Sequence, residues 1–513
     1  MESTLALGQA QYDLLEIESV DGSPEGSAVL QNSGRGVVRL LADSTGEISN
    51  IDVGITYMPQ NGSQHIDALN IYGNSRNLNV RDSVPNTPGG ALSGDELTLE
   101  NDANINFLGQ AIESEVALNG GNDRLNVSRD LKDSHVTSTW GNDTVRIGGQ
   151  AIESEFLLGE GDDLLILGKG GEGVDAALGE GNDTAMILGK FKEGEFEGYF
   201  TDPGVDNSTG MNNILDMGKG DDKALLLDGV DGKVEVQLGD GEDTVIFGGG
   251  SESRGFKLGT GSGEDNVVLG QSTEDTQIDL GSDFGGDTVV LGIGNLLANS
   301  SISSANGNDS LSFAGNLEGV EMEFRGSGDT DVNASGYVLM GDHRSYDTSV
   351  WDFGAGEDNL TIDGDLAMIS STGQAYFNLG SGSDSIQLGG TVFGNGQIEF
   401  DLGDDSSIDE VYIENPLDIT QVSFSNFGSN DVLYIGDDMY GYGDIFENGY
   451  LDHDEFIWAG NAIYSQEQPD GTYLKADDGG FFSNWNAAPM ADSEPRADFD
   501  DFYYPSSPSA DNK

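Results

Sequence analysis

The phrase Leu-Gly-x-Gly-(Asp/Asn/Glu)-Asp recurs along this chain, and a short phrase returning at near-constant spacing leaves few folds open. It reads Leu158-Gly-Glu-Gly-Asp-Asp163, then Leu178-Gly-Glu-Gly-Asn-Asp183, then Leu238-Gly-Asp-Gly-Glu-Asp243. The closing Asp falls at 102, 123, 143, 163 and 183, at 222, 243, 265, 287 and 309, and at 358, 384 and 409, mostly in steps of 20 to 22 residues. A second phrase, Gly109-Gln-Ala-Ile-Glu-Ser-Glu115, returns letter for letter as Gly149-Gln-Ala-Ile-Glu-Ser-Glu155, 40 residues or two repeats later. Self-similarity at a period of ~20–50 residues marks stacked units, none of which buries its apolar face alone.

One repeat is legible in detail. Glu155-Phe-Leu-Leu158 is a short apolar strand, Gly159-Glu-Gly-Asp-Asp163 a turn, and Leu164-Leu-Ile-Leu167 a second strand. These runs are too short and too Gly-bounded for helices. Two strands and two turns per repeat describe one coil. The fold expected is therefore all-β, a parallel β-solenoid (β-roll or β-helix-like) with about 20–22 residues per coil, capped at both ends. Leu165, Val245, Val267 and Val289 become equivalent inward positions of a thin aliphatic core.

The expected organisation is an N-terminal β cap over 1–60, solenoid repeats over 61–425, a C-terminal cap over 426–480 and a flexible tail over 481–513. Repeats are most regular over 95–315. The long step from 183 to 222 holds an insertion or a degenerate coil, and so does 316–350, where Gly326-Ser-Gly-Asp-Thr330 puts Thr in the Asp position.

Asp and Glu number 92 against 21 Lys and Arg, a formal net charge of −71. A polyanion of this strength repels phosphate and anionic lipid, which excludes nucleic acid as a partner. No stretch of ~18 apolar residues is present, so no membrane insertion is expected. The acidity fits either a solvated halophilic surface or cation binding, and its phasing within the repeat favours the second. With no cysteine, disulfides and thiolate metal sites drop out. The four histidines are scattered, and no Gly-x-Ser-x-Gly elbow, phosphate loop or His-Glu-x-x-His motif occurs. The chain is expected not to be an enzyme.

The turn suggests its own chemistry. The first Gly allows positive φ, the second lets carbonyls crowd without a Cβ, and the Asp supplies hard oxygens. Calcium takes six to eight oxygens at ~2.3–2.6 Å, which two stacked turns can pool. The turn resembles the RTX (hemolysin-type) calcium-binding nonapeptide, Gly-Gly-x-Gly-x-Asp-x-aliphatic-x. Gly159, Gly161, Asp163 and Leu165 match its second, fourth, sixth and eighth positions. So do Gly179, Gly181, Asp183 and Ala185, and Gly239, Gly241, Asp243 and Val245. The chain departs in carrying Leu for the first glycine and one motif per coil rather than two.

The resemblance covers about 95–415 and implies several calcium ions along one solenoid edge. Asp123, Asp143, Asp163, Asp183, Asp222, Asp243, Asp265, Asp287, Asp309, Asp358 and Asp384 are the expected ligands, together with the turn glycines just named. It also implies export by a type I-like route, consistent with Met1–Ala10 having no basic n-region or apolar run. A second match, Asp444-Ile-Phe-Glu-Asn-Gly-Tyr-Leu-Asp-His-Asp-Glu455, resembles an EF-hand loop with Phe446 in place of an acid.

The expected function is that of a non-enzymatic extracellular structural or adhesive surface protein. Its partners would be calcium and cell-surface components, with polysaccharide and homo-oligomers compatible. A phage virion protein (fibre, spike or appendage) and a polysaccharide-active enzyme on a solenoid scaffold stay open as alternatives.

Overall fold

The computed structural model describes residues 104–194, 213–249, 252–341 and shorter stretches from 349 to 441. It also gives the backbone of strands between Leu14 and Ser83. Every described element is a strand, and the strands stack into two sheets. One sheet takes a four-residue strand from each coil. Arg124–Val127, Thr144–Ile147, Leu164–Leu167 and Thr184–Ile187 lie side by side, parallel and in register. The opposite sheet takes a longer strand, such as Glu115–Gly120, His135–Trp140 and Ala151–Glu160. The chain is a parallel β-solenoid, as the repeat spacing requires.

The alternation of side chains along a strand sorts the residues. In the described four-residue strands of this sheet the first and third residues are exposed or half-buried and the second and fourth are buried. Leu165, Val245, Val267 and Val289 are fully buried, as expected of equivalent inward positions. The core is not purely aliphatic, however. Phe107, Phe156, Phe191, Phe247 and Phe256 are buried in the regular coils, and further on Trp351 lies edge-on to Phe377, with Phe377 stacked on Phe400 at 4.7 Å. The Trp351 indole N–H donates to the Val320 carbonyl at 2.9 Å, which satisfies its one polar atom.

The irregular steps leave the stacking intact. Thr184–Ile187 pairs directly with Lys223–Leu226, so the step from 183 to 222 is still one coil. Asn316–Glu318, Glu321–Phe324 and Asp331–Ala334 likewise continue their ladders through the stretch where Thr330 replaces Asp. At the start of the chain, Leu14–Glu18, Gly36–Leu41 and Ile66–Tyr72 already pair in parallel. The stretch read as an N-terminal cap thus supplies strands to the same sheets. Asp438–Gly441 turns back antiparallel on Val432–Ile435, against the direction of the ladder.

The return stretch of the coil is more ordered than its variable sequence suggests. It holds a two-residue strand, Ala111-Ile112 or Leu131-Lys132, followed by a corner at Glu113, Asp133 or Glu153 with φ of 49°, 48° and 45°. The next residue, Ser114, Ser134 or Ser154, is buried. The Ser114 amide donates to Ser134 Oγ at 3.0 Å and the Ser134 amide to Ser154 Oγ at 3.3 Å. The repeated Gln-Ala-Ile-Glu-Ser-Glu phrase is this corner, and its Ser is a rung in a side-chain ladder.

Candidate metal-binding column

The opposite corner is the Gly-x-Gly turn. Both of its glycines have positive φ, 94° and 136° at Gly159 and Gly161, and 118° and 141° at Gly179 and Gly181. The expected division of labour between them is therefore not what is found, because each glycine meets both demands. A Cβ on Gly161 would lie 2.1 Å from the Gly141 carbonyl oxygen, and one on Gly179 would lie 1.8 Å from that of Gly159. The same close approach recurs at Gly239 and Gly241. Backbone packed this tightly against backbone admits no side chain.

The closing Asp of each turn points inward. Asp123, Asp143, Asp163, Asp183, Asp222, Asp243, Asp265, Asp287, Asp309, Asp358 and Asp384 are all buried, at most 2% exposed. They form a column along the solenoid. The amide of Asp123 donates to Asp143 Oδ1, that of Asp143 to Asp163 Oδ1 and that of Asp163 to Asp183 Oδ1, each at 2.7 Å. The Asp183 amide continues to Asp222 Oδ1 at 2.6 Å across the long step. Asp222, Asp243, Asp265 and Asp287 carry the series on to Asp309. Beyond Thr330 it runs from Asp358 through Asp384 and Asp409 to Asp431. Asp431 lacks the Gly-x-Gly signal; only its place before the alternating Val432-Leu-Tyr-Ile435 marks it in the sequence.

A second column, absent from the sequence reading, runs outside the first. In many coils the residue before the buried Asp is exposed, and its side-chain oxygen accepts the amide of the following coil. Asn122 accepts from Asn142 at 2.8 Å, Asn142 from Asp162 and Asp162 from Asn182, both at 3.0 Å. The outer side chains reach forward along the solenoid and the inner ones reach back.

The two columns differ in composition. The outer position varies: Asn122, Asn142, Asp162, Asn182, Asp221, Asn308 and Asp329 each supply an acceptor, while Glu242, Glu264, Gly286, Ser383 and Ile408 stand there in other coils. Among the described residues the inner one is Asp at every rung except Thr330. An Asn would accept the same amide and carry no buried charge, so the hydrogen bond alone does not account for the uniform choice of Asp.

The second carboxylate oxygen is the difference. At Asp163, Asp183, Asp222, Asp243 and Asp287, Oδ2 is buried and meets no hydrogen-bond donor. Burial pushes these carboxyls up, to about 8 at Asp163, Asp222 and Asp287, about 7 at Asp243 and about 6 at Asp183. The amide bond to Oδ1 works against that rise. Neighbouring carboxylates in the column add to it at Asp163, Asp222 and Asp287. A column of buried, hard, anionic oxygens is chemically suited to a hard cation, which would replace the missing donors and offset the charge. With Oδ1 engaged by an amide, Oδ2 is the oxygen left to face an ion. Among the described residues no three His, Cys, Asp or Glu side chains cluster as a compact metal cage. Ligation would be strung along the column and completed by oxygens of other kinds. The EF-hand-like loop 444–455 lies outside the described residues.

Comparison with known proteins adds little. No family model matches the chain, and no curated protein matches it. Among solved structures the chain is similar to that of a hyperactive, Ca2+-dependent, beta-helical antifreeze protein from an Antarctic bacterium. The identity is 12% and the TM-score 0.21, over 92% of this chain and 97% of that one. A likeness this low carries no argument about site or function.

Proposed function

We propose that this chain is a non-enzymatic structural or adhesive protein of an extracellular surface, a rigid β-solenoid held by calcium along its inner carboxylate column. The observation that carries the reading is the Asp kept along that column, Thr330 apart, beside the variable position one residue away. Where only a hydrogen bond is needed the sequence varies; where a second, ionisable oxygen is buried it does not.

In this reading the Oδ2 atoms of Asp163, Asp183, Asp222, Asp243 and Asp287 bind the ions, together with their counterparts at Asp123, Asp143, Asp265, Asp309, Asp358 and Asp384. The turns at Gly159 and Gly161, Gly179 and Gly181, and Gly239 and Gly241 let successive coils approach closely enough to share them. Calcium supplies positive charge between rungs that otherwise repel. Folding is then coupled to calcium concentration, because a ligand that binds only the stacked state stabilises it by mass action. A chain of net charge −71 is held together only weakly where calcium is scarce and stacks firmly where it is abundant, as outside a cell.

Two measurements test this. Equilibrium dialysis against calcium counts bound ions; several per chain are expected, fewer in Asp163→Asn, and none would contradict the metal assignment. Fractionation of the producing cells tests the location. Surface or medium fractions that release the protein on chelation support an extracellular role, and a purely cytoplasmic protein contradicts it.

A further inference from the structure

Over a run of the described coils the acids avoid one face of the solenoid. On the sheet of four-residue strands, the outward positions from Asn104–Phe107 through Ser310–Phe313 contain no Asp or Glu. The opposite sheet places Glu115, Glu155, Asp175, Asp216 and Glu235 outward over coils of the same region. Arg124, Arg146 and Lys223 all project from the acid-free face. At its centre an aliphatic stripe runs over six consecutive coils, through Ile166, Met186, Leu225, Ile246, Val268 and Val290, all partly exposed. On a highly acidic protein, solvation of the fold does not call for an uncharged, apolar strip. Contiguous apolar surface of this kind marks an interaction site.

We infer that this face binds the same face of a second copy of the chain, with the two solenoids antiparallel. Charge narrows the choice of occupant. Two chains of net charge −71 repel over most of their surface, and here they can be pressed together without opposing carboxylates. A closed dimer uses one patch on both copies, related by a two-fold axis. An axis along the strands between the coils of Leu225 and Ile246 pairs the stripe with itself. Leu225 then faces Ile246, Met186 faces Val268 and Ile166 faces Val290, each on the opposing copy.

The same operation brings the coil of Arg124 opposite the coil of Asp331, the first acid to appear on this face. The face is self-complementary in charge only in this antiparallel sense. About ten coils at ~4.8 Å and strands of ~13 Å give roughly 600 Å² per copy. The total of roughly 1,200 Å² is at the lower end for a specific interface, so a reversible dimer is expected.

Sedimentation velocity of the full chain in calcium-containing buffer, over a concentration series, tests the inference. The wild type should pass from monomer to dimer with rising concentration. Ile246→Lys, beside the axis, should weaken association more than about a hundredfold, with an unchanged circular dichroism spectrum. Arg124→Asp and Asp331→Arg should each weaken it about tenfold by opposing like charges. Since both residues are exposed, these variants stay informative if the Lys variant fails to fold. Combined in one chain, the two swaps should restore the wild-type affinity to within about threefold. A wild type monomeric up to ~100 μM, or a dimer indifferent to Ile246→Lys, would overturn the assignment of this face. A double swap no tighter than the single ones would overturn the antiparallel arrangement.

Discussion

Replacing Asp163 by Asn should change sign in its effect on stability between calcium and chelator. The Asp163 carboxyl does two things in the fold. Its Oδ1 accepts the Asp143 amide at 2.7 Å, and its Oδ2 is buried without a donor. Asn keeps the first and removes the charge from the second. Raising a carboxyl from its ordinary value to about 8 corresponds to several kcal/mol at ~1.4 kcal/mol per pH unit. Screening by solvent near the turn leaves about half of that, roughly 2–3 kcal/mol.

The new amide hydrogens lack an acceptor, which takes back about 1 kcal/mol. In chelator at pH 8, Asp163→Asn should therefore stabilise by about 1–2 kcal/mol. In calcium it should destabilise by about 2–3 kcal/mol, because an ion loses an anionic ligand beside its charged neighbours. Asp163→Ala strands the Asp143 amide in either condition and should cost about 2–4 kcal/mol in calcium. Glu160→Ala, on the outside of the same turn, should stay within ~0.5 kcal/mol. Urea unfolding with and without calcium measures all four. If Asp163→Asn has the same sign in both conditions, the buried oxygen is not an ion ligand.

Three further outcomes follow from the turn geometry and the column. Gly179→Ala should destabilise by at least ~3 kcal/mol by thermal unfolding. Its φ is +118° and its Cβ would sit 1.8 Å from a carbonyl oxygen. Gly248→Ala, whose Cβ meets only side-chain atoms at 3.6 Å and beyond, should stay within ~1 kcal/mol; equal effects would refute the close-packing account. Without calcium, thermal stability should fall as pH rises from about 5 to 8. The folded-state carboxyls of Asp183, Asp243, Asp163, Asp222 and Asp287 lie above their unfolded value, so the stability present at low pH is lost as each ionises. Calcium should flatten that slope, and a rising slope in chelator would contradict the direction of these shifts. Thr330→Asp fills the one gap in the column between Asp309 and Asp358. It should raise the melting temperature in calcium and lower it in chelator, and an increase in both would sever the column from ion binding.

The coil, its register and its inward residues could be read from the chain because a parallel stack repeats one solution. A closing Asp every 20 to 22 residues fixes the turn, and the alternation after it fixes which of Leu164 and Leu165 is inside. The side-chain ladders could not be read in the same way. Asn142 and Asp143 are adjacent acceptors in one turn, yet one reaches forward and the other back, a choice made by corner geometry rather than residue type. The Ser ladder was visible as a repeated phrase without any sign of its role, since Ser at a buried corner and Ser in a loop look alike in sequence. The turn carboxylates do stack along one edge; what the spacing does not reveal is that they are buried there, with one oxygen already engaged by an amide. The aromatic part of the core is not legible, because Phe156, Phe247 and Trp351 occupy inward positions that other coils fill with Val or Leu.

The most direct test of the central claim is far-ultraviolet circular dichroism of the full chain, recorded in chelator at pH 8 and then titrated with calcium. A weakened β signal and a lowered melting temperature are expected in chelator, with cooperative recovery at millimolar calcium and far weaker recovery in magnesium, which holds its water more tightly. A spectrum and melting temperature that are the same in chelator and in calcium would contradict the claim. The inner carboxylates would then be a protonated hydrogen-bond ladder and nothing more.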